Sequence, residues 1–202
     1  MKVAEKHIVK AMWAYSELRS PRFVDIYRGR FPDAAELIAK ATSGVRFETL
    51  TASEVDQLAR FIEVVREPFV RGLNGRHGGN TFVCESWNEQ QLGRALTVHG
   101  MSPSGKSMIP FEIFASLPAD PDRGDSYRDP RRAADRYGSQ VPLVQIEPAT
   151  ALLFGSKRLL IDGYFRGILF YRHMLANQRL RVWVPRRAKS KRRHRLNLAI
   201  GK

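Results

Sequence analysis

The chain has 202 residues, 43% of them hydrophobic, and a formal net charge of +14. This length predicts one domain or one domain with an extension, and the charge favours a polyanionic partner, nucleic acid ahead of membrane lipid. The alternative is a charged terminus with no partner. The single cysteine, Cys84, excludes a disulfide framework. No apolar run is long enough to span a membrane, and charged residues interrupt Met1–Leu18 where a signal peptide would be apolar, so we expect a cytoplasmic protein.

The first third of the chain has helical periodicity. Apolar residues at three- and four-residue steps from Ala4 to Leu18 predict a helix that Pro21 ends. A short helix is expected over Asp33–Ala41. Thr51 and Glu54 form a capping-box pattern that begins a third helix, which Pro68 should stop or kink. The glycine-rich Gly72–Asn80 stretch predicts a loop or domain boundary.

The remainder has a strand-like pattern. In chain order the predicted elements are strands Thr81–Cys84, Ala95–Val98 and Ile109–Phe114, a loop Pro118–Pro130, a helix Arg131–Tyr137, strands Val141–Ile146 and Arg158–Asp162, a helix Gly167–Ala176 and a strand Leu180–Val184. Beyond Pro185 the basic tail is expected to be disordered until it meets a partner.

The segment Arg158–Arg172 is the most informative one. Two apolar runs flank Asp162-Gly163, which predicts a strand, a tight turn and a helix. Gly163 supplies the permissive dihedral angles, and Arg166 belongs to the first turn of the helix. Backbone N–H groups and a guanidinium directed at one point suit a phosphate or another anion.

This element order resembles the core of the ParB/sulfiredoxin superfamily, whose members carry Gly-x-x-Arg before a helix. The matching residues are Leu-Ile-Asp-Gly-Tyr-Phe-Arg, followed by a helix and Arg-Leu-Arg-Val-Trp-Val-Pro, and the resemblance covers about residues 105–185. Together with the helical pattern before it and the basic residues after it, the resemblance predicts an α+β fold with a helical N-terminal region at 1–80, a small mixed-sheet core at 81–185 and a basic tail at 186–202.

The resemblance also implies a phosphate or nucleotide site at the turn. Gly163 would be the turn glycine and Arg166 the phosphate-binding arginine, with Tyr164 beside them. Asp162 matches an acidic residue of some kinase-like members, where it would be a metal ligand or general base; alternatively it caps the helix. The cofactor is unidentified, and a nucleotide with magnesium is the candidate. Family members include partition proteins that bind CTP and DNA, nucleases, small-molecule kinases and sulfiredoxins.

Three features depart from the family pattern. The turn contains no cysteine, which excludes sulfiredoxin chemistry. Phe165 stands where many members have His or Arg, and it can donate neither a hydrogen bond nor a proton. Only a basic tail follows the core, where partition proteins carry a helix-turn-helix domain. A complete partition protein is therefore not expected.

Other motifs offer competing interpretations. Gly100–Ser107 satisfies the Gly-x4-Gly-Lys-Ser phosphate-loop pattern, but Pro110 disfavours the helix that such a loop requires. Aspartates at 120, 122 and 125 lack the Gly and Glu of a calcium loop. The five histidines lack metal-ligand spacing, so no metal site is predicted.

The tail is the clearest nucleic-acid feature. Seven of the ten residues from 186 to 195 are basic: Arg186, Arg187, Lys189, Lys191, Arg192, Arg193 and Arg195. Such a cluster binds phosphates without reading sequence, and Tyr164 or Phe165 could stack on bases. We therefore predict a nucleic-acid-binding protein with a nucleotide-binding turn, DNA being favoured over RNA. A nuclease or nucleotide-dependent phosphotransferase, or a non-catalytic scaffold, remains open, and the sequence does not determine the oligomeric state.

Overall fold

The computed structural model describes residues 2–19, 21–75, 79–102, 105–116, 148–154, 156–173 and 179–186. Within them, eight α-helices accompany one seven-stranded mixed sheet, which confirms a mixed α and β architecture. The helices are α1 Lys6–Leu18, α2 Pro21–Arg30, α3 Ala35–Thr42, α4 Ala52–Val65, α5 Glu67–Asn74, α6 Glu89–Gly93, α7 Phe111–Ser116 and α8 Tyr164–His173. The strands are β1 Val3–Glu5, β2 Thr81–Trp87, β3 Leu96–Ser102, β4 Gly105–Pro110, β5 Ala149–Phe154, β6 Lys157–Asp162 and β7 Leu180–Pro185.

Several predictions fall elsewhere in the chain. The loop Pro118–Pro130, the helix Arg131–Tyr137, the strand Val141–Ile146 and the tail after Arg186 lie outside the described residues. The finer prediction of a ParB/sulfiredoxin-like core stays a prediction. No helix in the described ranges is long and apolar enough to cross a membrane.

The capping box predicted for α4 is confirmed. The backbone N–H of Glu54 donates to Oγ1 of Thr51 at 3.3 Å, and the backbone N–H of Thr51 donates to Oε2 of Glu54 at 2.8 Å. These reciprocal bonds satisfy two N–H groups that a helix end otherwise leaves without an acceptor. The helix ends at Val65, and Pro68 lies in the first turn of α5, where its missing N–H costs nothing.

The predicted end of the first helix before Pro21 is confirmed, since α1 ends at Leu18. Pro21 itself begins α2, because proline suits a first helical turn. Two other local predictions in the helical region need correction. The predicted loop Gly72–Asn80 begins late, since α5 continues to Asn74. Residues Val3–Glu5 form an edge strand on β2; three residues are too few for a recognisable pattern.

The sheet has the order β1-β2-β7-β5-β6-β3-β4. Strand β7 is antiparallel to β2 and parallel to β5, while β6 is antiparallel to β5 and parallel to β3. The β3–β4 hairpin forms one edge. Strands β2, β6 and β7 include the ranges predicted from sequence, whereas β3 begins at Leu96, one residue after its predicted start, and continues to Ser102.

The predicted strand Ile109–Phe114 is wrong. Strand β4 ends at Pro110, which has no N–H to donate to a ladder, and α7 follows immediately. The backbone N–H of Phe111 donates instead to the carbonyl oxygen of Ala95 at 2.8 Å. Phe111, Phe114 and Ala115 are buried at helical spacing, so a helix rather than a strand uses this apolar sequence.

Helices cover both faces of the sheet. Strand β7 shows this most directly, because Trp183 belongs to one hydrophobic cluster and its neighbours Val182 and Val184 belong to the other. The first cluster joins helices α1–α5 to side chains of β2, β5, β6 and β7. The second joins α6, α7 and α8 to the opposite face. The helical N-terminal region is therefore packed directly on the sheet, and the predicted division at residue 80 stays a prediction.

Candidate functional site

The predicted turn lies between β6 and α8. Gly163 has φ +85°, a left-handed conformation that glycine adopts readily. A Cβ added there would lie 2.5 Å from the Cβ of Ala149 on β5. The glycine is thus required by the close approach of a neighbouring strand. Helix α8 begins at Tyr164, three residues before the predicted start, so Arg166 does lie in its first turn.

Arg166 is directed into the protein. Its side chain is only 3% exposed, and Nη2 donates to Oδ2 of Asp162 at 2.5 Å. Nη1 donates to the carbonyl oxygen of Pro148 at 3.3 Å. The guanidinium therefore holds the end of β6, the start of α8 and the residue before β5 together. This arrangement does not present Arg166 to a nucleotide phosphate, and the residues do not fit that ligand as they stand.

The other residues of the turn are also used internally. The hydroxyl of Tyr164 donates to the carbonyl oxygen of Leu160 at 2.9 Å, and its half-buried ring lies 5.8 Å from that of Phe114. Tyr164 is therefore not placed to stack on a base. The side chain of Phe165 lies outside the described part of the structure. Nucleotide binding by Gly163, Tyr164 and Arg166, and catalysis by Asp162, stay predictions.

A buried polar cluster that the sequence analysis missed surrounds Glu17 of α1. Trp13 Nε1 donates to Oε1 at 3.1 Å, Arg66 Nε donates to the same oxygen at 2.8 Å, and Tyr27 donates its hydroxyl to Oε2 at 2.8 Å. The Arg66 guanidinium also lies 4.2 Å from the ring centre of Phe23. The cluster therefore joins α1, α2 and the residue that follows α4. Its only local signal was the four-residue spacing of Trp13 and Glu17.

The electrostatics of this cluster extend to the turn. Burial is the main cause that raises the pKa of Glu17; the charge of Arg66 lowers it and the charge of Asp162 raises it. Burial and the charge of Glu17 raise the pKa of Tyr27. Two carboxylates and two guanidiniums thus lie beneath the helices near the end of β6. Arg66 donates to Glu17 and Arg166 donates to Asp162, and the other hydrogen bonds of these groups are made to protein atoms, as expected of a stabilising network.

The basic tail begins at an anchored residue. Arg186 is exposed, directly follows β7, and donates its backbone N–H to the carbonyl oxygen of Thr81 at 2.8 Å. The remaining predicted nucleic-acid contacts, Arg187, Lys189, Lys191, Arg192, Arg193 and Arg195, lie beyond the described residues. The structure thus sets where the tail leaves the sheet.

The phosphate-loop alternative is excluded. Strands β3 and β4 pair antiparallel, with Val98 opposite Met108 and Ser102 opposite Gly105. A phosphate loop needs a helix directly after its Gly-Lys-Ser, whereas here residues 105–110 form a strand. Among the described residues, no group of three or more His, Cys, Asp or Glu side chains could hold a metal ion.

Comparisons with known proteins do not assign this arrangement to a family. No family model, curated protein or solved structure matches the chain.

Proposed function

We propose that this chain is a nucleic-acid-binding protein whose affinity comes mainly from its basic C-terminal tail. The observation that carries the proposal is the charge: seven cations in residues 186–195 account for half of the net +14, and no acidic residue follows Pro185. Neutralising phosphates with such a cluster releases condensed counterions, which drives binding without base recognition. The attachment of Arg186 to Thr81 supports the proposal, because it gives the tail a fixed origin.

Fluorescence anisotropy with labelled duplex DNA tests the proposal. The full chain is compared with a variant in which the seven tail cations are replaced by glutamine, so that tail length is unchanged. We expect the dependence of log K on log salt to lose up to about 6 units of slope, about 0.9 for each phosphate contact. Equal affinity and slope for both proteins would contradict the proposal. Duplex RNA and anionic lipid vesicles, measured in parallel, identify which polyanion is preferred.

The second candidate is a nucleotide-dependent enzyme or nucleotide-gated binder that uses the turn at Gly163. It requires Asp162 to release Arg166, since the guanidinium is otherwise occupied. Binding of labelled ATP, ADP and CTP with magnesium, measured for wild type and Arg166→Ala, decides it. Binding that depends on Arg166 supports this candidate, provided that circular dichroism shows the variant to be folded. Without such binding, the turn has only a structural role, in which Arg166 holds Asp162 and Pro148 together.

A further inference from the structure

Each of the seven strands has a terminus at the end of the sheet where β7 finishes. Strands β7 and β5 run in one direction, and β6 and β3 run in the opposite direction because β6 is antiparallel to β5. The ends of β5 and β7 therefore lie beside the starts of β3 and β6. Strand β2 also starts there, since Phe82 pairs with Pro185. The tail leaves from this same end. Residues that are remote in sequence are therefore brought to the origin of the tail.

Four cations lie at this end, and we call them the sheet-end cations: Lys6, Arg94, Lys157 and Arg186. The backbone N–H of Lys6 donates to the carbonyl oxygen of Asn80 at 2.9 Å, which places it beside the start of β2. Leu96 of β3 pairs with Leu159 of β6, and Arg94 and Lys157 lie two residues before them. Lys6 is half-buried, and the other three side chains are exposed.

These cations are available to an outside anion. None of the ion pairs in the described part of the chain involves their side chains. Arg158, beside Lys157, differs because it pairs with Glu85 at 3.0 Å. Two exposed carboxylates also lie at this end: Glu5, with His7 Nδ1 3.4 Å away, and Glu112, beside Gly93. The net charge of the described side chains at this end of the sheet is therefore positive even without the tail.

The side chains present favour a duplex over a single strand. Proteins that bind single strands usually stack bases on exposed aromatic rings. The large hydrophobic side chains exposed within the described ranges are Val3, Ile26, Val64, Met108 and Ile113, none of them aromatic. Residues 186–202 contain no Phe, Tyr or Trp. Binding by charge alone favours the partner with the densest phosphates, and a duplex carries a charge about every 1.7 Å of its axis.

We propose that the sheet-end cations bind the phosphate backbone of double-stranded DNA at the point where the basic tail begins. This rests on the proposed function and adds a second, folded part to the binding site. The tail supplies most of the counterion release, and the sheet end holds the duplex at a fixed position relative to the fold. The contacts are to phosphates, so the surface does not read base sequence.

The test compares two double variants with the same net charge. Arg94→Gln/Lys157→Gln neutralises two sheet-end cations. Arg60→Gln/Arg179→Gln neutralises two exposed arginines elsewhere, Arg60 on α4 and Arg179 just before β7, at the opposite end of that strand from Arg186. Each protein is titrated with labelled duplex DNA over a series of salt concentrations. Equal thermal midpoints establish that all the proteins are folded.

We expect the sheet-end variant to lose about 1.8 units of salt slope, about 0.9 for each contact, and the control variant to keep the wild-type slope. Equal losses in the two variants would overturn the sheet-end surface and leave the tail proposal intact. Absence of duplex binding by the wild-type protein would overturn both proposals. Tighter binding of a single strand of equal length would overturn the choice of a duplex.

Discussion

Tyr27 donates its hydroxyl hydrogen to Oε2 of Glu17 at 2.8 Å, and both side chains are buried, at 0% and 6% exposure. This bond joins α2 to α1. Arg66, the residue after α4, donates to the other oxygen of Glu17. A carboxylate is stable at such a position only because each oxygen accepts hydrogen bonds. The network thus fixes how α1 and α2 pack against the end of α4.

Glu17→Ala should strongly destabilise the fold. The substitution leaves the Arg66 guanidinium, the Tyr27 hydroxyl and the Trp13 N–H without their shared acceptor, and loss of one partner of a buried pair costs about 3–5 kcal/mol. Chemical denaturation measures the change in the free energy of unfolding. Glu36→Ala is the control, because this carboxylate is 87% exposed and pairs only at the surface with Lys40; its cost should stay below about 1 kcal/mol. Similar costs for both would contradict the role given to the cluster.

The two glycines Gly44 and Gly163 should respond differently to alanine. Both have positive φ, +82° and +85°, so each substitution incurs the cost of a left-handed residue, about 1–2 kcal/mol. A Cβ at Gly44 meets nothing within 4 Å, whereas at Gly163 it meets Ala149 at 2.5 Å. Gly163→Ala should therefore be the more destabilising variant in urea denaturation. Equal costs would show that the turn can move away from β5.

The Asp162–Arg166 pair should behave as one unit. Arg166→Met leaves a carboxylate with a 12% exposed side chain facing an apolar group, with an expected cost of about 3–5 kcal/mol. The double variant Asp162→Asn/Arg166→Met removes that charge, so it should be more stable than Arg166→Met alone. A double-mutant cycle of unfolding free energies measures the coupling. Additive effects would argue against a direct interaction.

Stability should depend on pH through Glu54. The pKa of Glu54 is lowered from 4.5 to about 2. The main cause is the hydrogen bond from Lys40, and the second is the hydrogen bond from the backbone of Thr51. Because the folded value is the lower one, the stabilisation is complete above pH 4.5 and is lost as the pH falls towards 2. The difference in unfolding free energy between wild type and Glu54→Gln should shrink over that range. A difference that stays constant with pH would contradict this assignment.

The sequence by itself determined the features that arise from neighbouring residues. The capping box of α4 lies within four residues, the alternation of β7 follows the two-residue period of a strand, and the turn at Gly163 depends on one backbone angle. Local periodicity and side-chain chemistry are enough to predict such elements. The basic tail can also be identified from the sequence alone, because its charge depends only on which residues it contains.

Only the tertiary structure decided what those elements do together. Arg66 reaches Glu17 across 49 positions of sequence, and Arg166 turns towards Asp162 and Pro148 where the sequence predicted an anion. Lys6, Arg94, Lys157 and Arg186 meet at one end because of strand order and strand direction. Strand order depends on which apolar faces pack across the whole sheet, and no local window contains that information. The direction of a guanidinium likewise depends on partners that only folding brings near.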